Sequence, residues 1–208
     1  MYLIREKPLN RPWQGDIYKD VIIIQDITYI IDTEGKRKPY GNEVKYDYSI
    51  LLTQECDLEQ DYNYRINNHG NHDKYISMIL MVPAYPAEDL RRGDHLIKYG
   101  QKMQRINSDD WGKVKRNGNK RYHYLRRDLD KNIPELVIDF KHFFTMSRRI
   151  IYDEIMNLCY RASLTILYRE ELSQRFCNFI SRIGIPTSAN ETELLTTSLR
   201  AGVFPKSS

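Results

Sequence analysis

Apolar residues come in short runs and alternations over the first two thirds of the chain. They then switch to a three- and four-residue step, which predicts a β-rich body followed by a helix. From Trp13 to about Met146 the segments read as strands. Gln14-Gly15-Asp16 is a turn. Ile17 to Ile31 is a β-branched series broken at Lys19-Asp20 and Gln25-Asp26, which predicts two strands joined by a tight bend. The polar stretch Thr33 to Asn42, punctuated by Gly and Pro, predicts a loop before a strand over Tyr48 to Thr53. A second loop, Asn67 to Asp73, precedes Tyr75 to Val82, a nearly continuous apolar run ended by Pro83 and Pro86, as in a buried strand. Ala87 to Asp109 has room for a short helix. Val114 to Leu125 centres on Asn117-Gly118, and both residues accept the positive φ of a tight reversal, so a hairpin is predicted. Leu136 to Phe140 and Phe143 to Met146 close the β region.

After Ser147 the period changes. Leu164, Leu167, Tyr168, Leu172, Phe176, Phe179, Ile180 and Ile183 describe an amphipathic helix. Glu171 and Arg175 form an i,i+4 pair on its polar side, and Gly184 and Pro186 stop it. Ile150 to Leu158 fits helix or strand. Beyond Pro186 a short helix over Glu191 to Leu199 leads into a loose tail. No repeat or linker is visible, so one domain is expected, with a β-rich part at 13–146, a helical segment at 147–186 and a tail at 187–208.

At 208 residues the chain can bury one good core. A hydrophobic share of 41% with 29% charged residues fits a soluble folded protein rather than a disordered one. Sixteen tyrosines favour half-buried sheets and wet interfaces, unless they only reflect a Tyr-, Ile-, Asn- and Lys-rich composition. Cys56, Cys159 and Cys177 are odd in number and scattered, which argues against a disulfide framework. The first residues lack a long apolar stretch, and no run reaches membrane-spanning length, so a cytoplasmic location is expected. The net charge of +4 is uneven: between Lys98 and Arg127 ten basic residues face only Asp109 and Asp110, and the remainder is net acidic.

The most concentrated candidate chemistry follows the apolar run Ile50 to Leu52. Thr53, Gln54, Glu55, Cys56 and Asp57 stand together at a strand end and are expected to form a ligand or partner pocket. Glu55, Asp57 and Glu59 disfavour the Cys56 thiolate, and none of His69, His72, His95, His123 and His142 sits at a signature spacing. No catalytic residue is therefore assigned. Asp57, Glu59 and Asp61 lack the glycine-turned calcium-loop pattern and read as a solvated acidic loop. His69, His72 and Asp73 have metal-like spacing but no third ligand nearby, and read as a surface loop. No metal or cofactor is expected. Asp139-Phe140-Lys141, after an apolar strand, looks like the acid-x-Lys element of metal-dependent nucleases, with Asp128, Asp130 and Glu135 available as the second carboxylate.

The basic hairpin is the binding candidate. Lys115, Arg116, Lys120 and Arg121 near its tip suit phosphates, and Tyr122 and Tyr124, sharing one face, suit stacking on bases. The same cations also keep an exposed strand edge from pairing.

Gln14-Gly15-Asp16-Ile17-Tyr18, a charged loop, and Ile50-Leu51-Leu52-Thr53-Gln54 running into an acidic segment resemble the opening of the PemK/MazF-type barrel, over Gln14 to Val82. The resemblance implies a mainly β, SH3-like barrel, to which the helix Leu164 to Ile183 is an amphipathic addition. The toxin ribonucleases of that family place an Arg-Pro pair where Tyr48-Ser49 stands, and a Ser or Thr where Val82-Pro83 stands. Without those groups their ribonuclease activity is not expected. The expectation is a non-catalytic intracellular binding or regulatory module, by resemblance an accessory component of a bacterial defence or toxin-like system. The alternatives are a nuclease or a sequence-tolerant nucleic-acid-binding protein. Expected partners are a protein or nucleic acid at the basic hairpin, no membrane, and a second copy of the chain.

Overall fold

The β-branched series Ile17 to Ile31 forms one strand rather than two. In the computed structural model, which describes residues 10–68, 70 and 72–181, β1 (Asp16–Ile31) pairs antiparallel with β2 (Arg37–Leu51). The predicted breaks survive as irregularities: Asp20 takes φ 60°, and the register shifts between Gln25 and Thr28. Such bulges bend a strand without ending it. The predicted loop at Thr33 to Asn42 shrinks to a turn at Gly35, where Asp32 Oδ1 accepts the backbone N–H groups of Glu34 and Lys36. Residues from Arg37 onward join the ribbon, whose outer half stands clear of the core with Ile24, Ile27, Tyr29 and Ile31 exposed.

β3 (Met78–Pro86) continues through Pro83, which lies opposite Ser49 of β2. Its other edge pairs with β6 (Phe144–Ser147) and then with β5 (Leu136–Asp139). β4 (Tyr122–Leu125) extends β5, and β7 (Tyr160–Ser163) extends β1. The result is an open antiparallel sheet in the order β4-β5-β3-β2-β1-β7, with β6 beside β3. The expected SH3-like barrel is not closed, because β4 and β7 remain the ends of the sheet. The C-terminal helix (Ile166–Ile180) supplies Leu172 and Phe176 to a core of Ile17, Ile50, Leu125, Ile138, Phe140 and Ala162, drawn from both ends of the sheet. Packing, not strand pairing, bridges the two ends.

The acidic segment predicted as a loop is helix α1 (Glu55–Ile66). Its Asp61 is buried, not solvated, and receives Arg65 Nε at 2.7 Å, the Ile76 N–H at 2.9 Å and Arg148 Nε. The undecided 150–158 stretch belongs to a helical run over 148–158 that passes through a π turn and buries Ile151, Ile155 and Met156. Gly184, Pro186, the helix predicted at Glu191 to Leu199 and His69 lie outside the described residues. Among those described, no helix is long and apolar enough to cross a membrane.

The hairpin predicted at Asn117-Gly118 is a helix end. Helix α2 (Ala87–Arg92) is followed by a long loop and then by α3 (Ser108–Lys115), capped by the Asn107 side chain on the Asp110 N–H. Asn117 takes φ 55° and donates its N–H to Val114 O, while Gly118 N–H reaches Lys113 O. This paired arrangement closes a helix C-terminus with a left-handed residue. The positive φ was legible in the sequence, but Trp111 and Val114, buried against Val44, Tyr85 and Val137, decide that the preceding residues are helical.

Candidate functional site

The corner Thr53 to Asp57 is a structural joint. Thr53 Oγ1 accepts the Leu80 N–H at 2.7 Å, and Gln54 is the residue before α1. Glu55 accepts Arg11 Nη2 at 2.7 Å and the Gln14 N–H at 2.8 Å, with Arg169 Nη1 at 3.5 Å. Cys56 and Asp57 are exposed, and the thiol makes only long contacts of 3.7 Å to Gln54 and Asp57. The Glu55 carboxylate thus ties the N-terminal segment and the C-terminal helix to α1.

The basic residues divide. Lys115 pairs with Glu135 at 3.7 Å, and Arg121 pairs with Asp139. Arg116 and Lys120 are exposed and make no ion pair among the described residues. Tyr122 and Tyr124 share a face, as their alternation requires, but Tyr124 is buried and cannot stack on a base. Tyr122 is half-buried. Arg175, expected to pair with Glu171, donates instead to the carbonyls of Asn117, Asn119 (2.7 Å) and Tyr122 (2.8 Å), and so fixes the loop that carries Arg121.

That loop forms one wall of a cleft of about 370 Å³. Arg105, Asn107, Asn119, Arg121 and Tyr122 line it, together with His95. Gly93 makes the opposite wall possible. It takes φ 83° at the end of α2, and any Cβ there would lie 2.2 Å from Met103 O, so the chain turns tightly and the 94–106 loop folds back.

Behind the cleft the end of β5 presents Asp139, fully buried. Its Oδ1 accepts Arg121 Nε at 2.8 Å and the Lys141 N–H at 3.1 Å, and its Oδ2 accepts Arg121 Nη2. A single 3₁₀ turn, Phe140–His142, then carries the chain to His142, whose Nε2 stands 3.7 Å from Asp139 Oδ2 and whose Nδ1 bonds Tyr85 Oη at 3.0 Å. His95 packs its ring edge-on to Tyr85 with centroids 4.7 Å apart, and both its nitrogens are buried with no hydrogen-bond partner among the described residues. One donor atom from each of His95, Asp139 and His142 lies within 4.8 Å of the others. A second cleft of about 270 Å³, lined by Tyr46, Tyr99 and Lys141, reaches the same cluster from the side of Tyr85 and His142.

Burial brings the His95 imidazole down to about 4, against the opposing pull of Asp139, and lowers His142 as well. Burial pushes the Tyr85 phenol up. At neutral pH both imidazoles are uncharged and Tyr85 keeps its proton. The cluster therefore offers lone pairs beside a carboxylate that already holds a guanidinium.

The nuclease-like element is only partly assembled. Asp139 ends its strand as read, but a guanidinium rather than a second carboxylate lies against it. Glu135 faces Lys115, and Asp128 Oδ1 accepts the Lys131 N–H of its own turn. His72 stacks on Tyr75 with centroids 4.7 Å apart. The sequence reading missed Tyr85 and His95, which are remote from Asp139 along the chain. His142, three residues beyond Asp139, was the one available signal. No family model, curated protein or solved structure matches the chain.

Proposed function

We propose that the protein is a non-catalytic binding module for a phosphate-bearing chain, single-stranded nucleic acid, held in the cleft between the 94–106 loop, α3 and β4. The observation that carries this reading is the convergence of Arg105, Arg121 and the half-buried Tyr122 on one cleft. Phosphates need cations, and an unpaired base needs an aromatic face; the cleft places both within one ligand's reach. Arg105, which lines it, and Lys120, next in the chain to Arg121 and Asn119, make no ion pair among the described residues, so their charge is available. Arg121 spends two of its N–H groups on Asp139 and keeps the others. Binding without cleavage is favoured because, of the carboxylates available to the nuclease-like element, Glu135 pairs with Lys115 and Asp128 accepts the Lys131 N–H of its own turn.

Fluorescence anisotropy with short labelled RNA and DNA strands tests the reading. Affinity is expected to fall steeply as salt rises, and the pair Arg105→Glu and Lys120→Glu is expected to lower it by roughly tenfold or more. A flat titration at low salt would reject nucleic acid and favour a protein partner at this surface. Cleavage of the strands would reject the non-catalytic part.

A further inference from the structure

His95, Asp139 and His142 come from three separate places: the loop after α2, the end of β5 and the 3₁₀ turn that follows it. Their donor atoms nevertheless converge within 4.8 Å. His95 is the anomaly. It is 8% exposed, both its nitrogens are enclosed, and neither finds a partner among the described residues. A buried imidazole with two unanswered nitrogens carries a desolvation cost that a ligand at the site would offset.

We infer that these three side chains form a site for a divalent transition-metal ion, zinc above all. Two imidazole nitrogens and one carboxylate oxygen are a donor set for zinc and its neighbours, whereas magnesium and calcium seek oxygen alone. The surrounding groups fit the same assignment. Tyr85 Oη holds His142 through Nδ1, which leaves Nε2 turned toward Asp139, the arrangement by which an outer hydrogen bond orients a ligating histidine. Asp139 Oδ1 has both lone pairs occupied, by Arg121 and the Lys141 N–H, while Oδ2 holds only Arg121 Nη2 and keeps a direction free on the side where His142 stands. Arg121 thus becomes an outer partner of the ligating carboxylate. It also lowers the negative charge that the ion would meet, which weakens binding without blocking the position.

Tetrahedral donors around zinc stand about 3.4 Å apart, so the trio must draw in by roughly 1 Å. Asp139 and His142 are held by the sheet and by Tyr85. His95 lies on the loop after Gly93 and supplies the movement. His95 lines the first cleft and His142 the second, so movement of the His95 loop gives an ion a route to the enclosed nitrogens. The assignment does not depend on what the cleft holds.

The test uses the full chain, stripped of metal with a chelator and titrated with Zn²⁺ against a chromophoric competitor, and separately with Co²⁺. One equivalent should bind with micromolar or tighter affinity. The Co²⁺ complex should show visible bands of a nitrogen- and oxygen-ligated ion without a sulfur charge-transfer band. His95→Gln and His142→Gln should each weaken binding by roughly 100-fold, and Tyr85→Phe by about tenfold. Replacing Cys56 and Cys177 with Ser should leave affinity unchanged. Absence of Zn²⁺ uptake by the unmodified chain overturns the assignment, and so does binding that survives both histidine changes or disappears with the cysteines. If a histidine variant does not fold, the Co²⁺ spectrum of the unmodified chain decides, since a sulfur band overturns the site and its absence in a bound complex supports it. Oligonucleotide binding is measured on separate samples, so failure of one proposal is distinguishable from failure of the other.

Discussion

Arg121 lies against Asp139 as a two-bond fork, Nε on Oδ1 and Nη2 on Oδ2, and the carboxylate beneath it is fully buried. The pair ties the residue before β4 to the end of β5, and Arg121 also lines the cleft. Lysine cannot reproduce the fork. Arg121→Lys should therefore lower stability by about 1–2 kcal/mol, read from urea unfolding. Asp139→Ala should cost more, roughly 3 kcal/mol, because it strands a partly buried guanidinium. No measurable loss from Arg121→Lys beside a large loss from Asp139→Ala would show that the fork adds nothing beyond a charge.

Arg175 acts on the cleft from outside it. Its guanidinium holds the carbonyls of Asn117, Asn119 and Tyr122, and it does not line the cleft. Arg175→Ala is expected to destabilise the fold by about 2–3 kcal/mol and to weaken oligonucleotide binding several-fold through the loosened 117–122 loop. Unchanged affinity in a folded Arg175→Ala protein would mean that the cleft wall keeps its shape without this anchor.

Gly93 is the position where the fold cannot accept a side chain. Its φ of 83° and the 2.2 Å approach to Met103 O place strain and a backbone clash in the same substitution. Gly93→Ala should lower stability by roughly 2 kcal/mol or more and should abolish metal uptake, since His95 is two residues away. A melting temperature matching the unmodified chain would show that the 94–106 loop can be re-routed.

Two buried histidines set an acid limit. Burial, with a smaller push from Arg175, takes His123 from 6.5 to about 3, and burial takes His95 to about 4. Below pH 6.5 the unfolded chain gains protons that the folded chain refuses, so stability is highest above that value and falls as pH drops toward 3–4. Each histidine contributes a slope of about 1.4 kcal/mol per pH unit within its window. Urea unfolding of the metal-free protein at about pH 7 and about pH 5 should show the loss, and His123→Leu should reduce it. A stability that rises on acidification across this interval would contradict the buried, neutral state of both rings.

Several local features were legible before any fold was known. The Tyr122/Tyr124 and His123/Leu125 alternation, the buried stripe of Leu172 and Phe176, and the positive φ at Asn117 all follow from near-neighbour geometry. The acidic segment at Glu55 to Asp61 was legible as a cluster of carboxylates but not as a helix. Its Glu55 and Asp61 find arginines at positions 11, 169, 65 and 148, and most of these are distant in sequence.

The sequence by itself determined the reversals at Gly35 and Asn117, the apolar face of the C-terminal helix and where the charge accumulates, because side-chain size, period and backbone sterics act over a few residues. Tertiary structure alone decided that Asn117 ends a helix instead of closing a hairpin, that Arg121 faces Asp139 as well as solvent, and that His95 meets His142. Those outcomes depend on which surfaces pack together. A buried carboxylate captures whichever cation the packing brings within reach, and no local pattern encodes that distance.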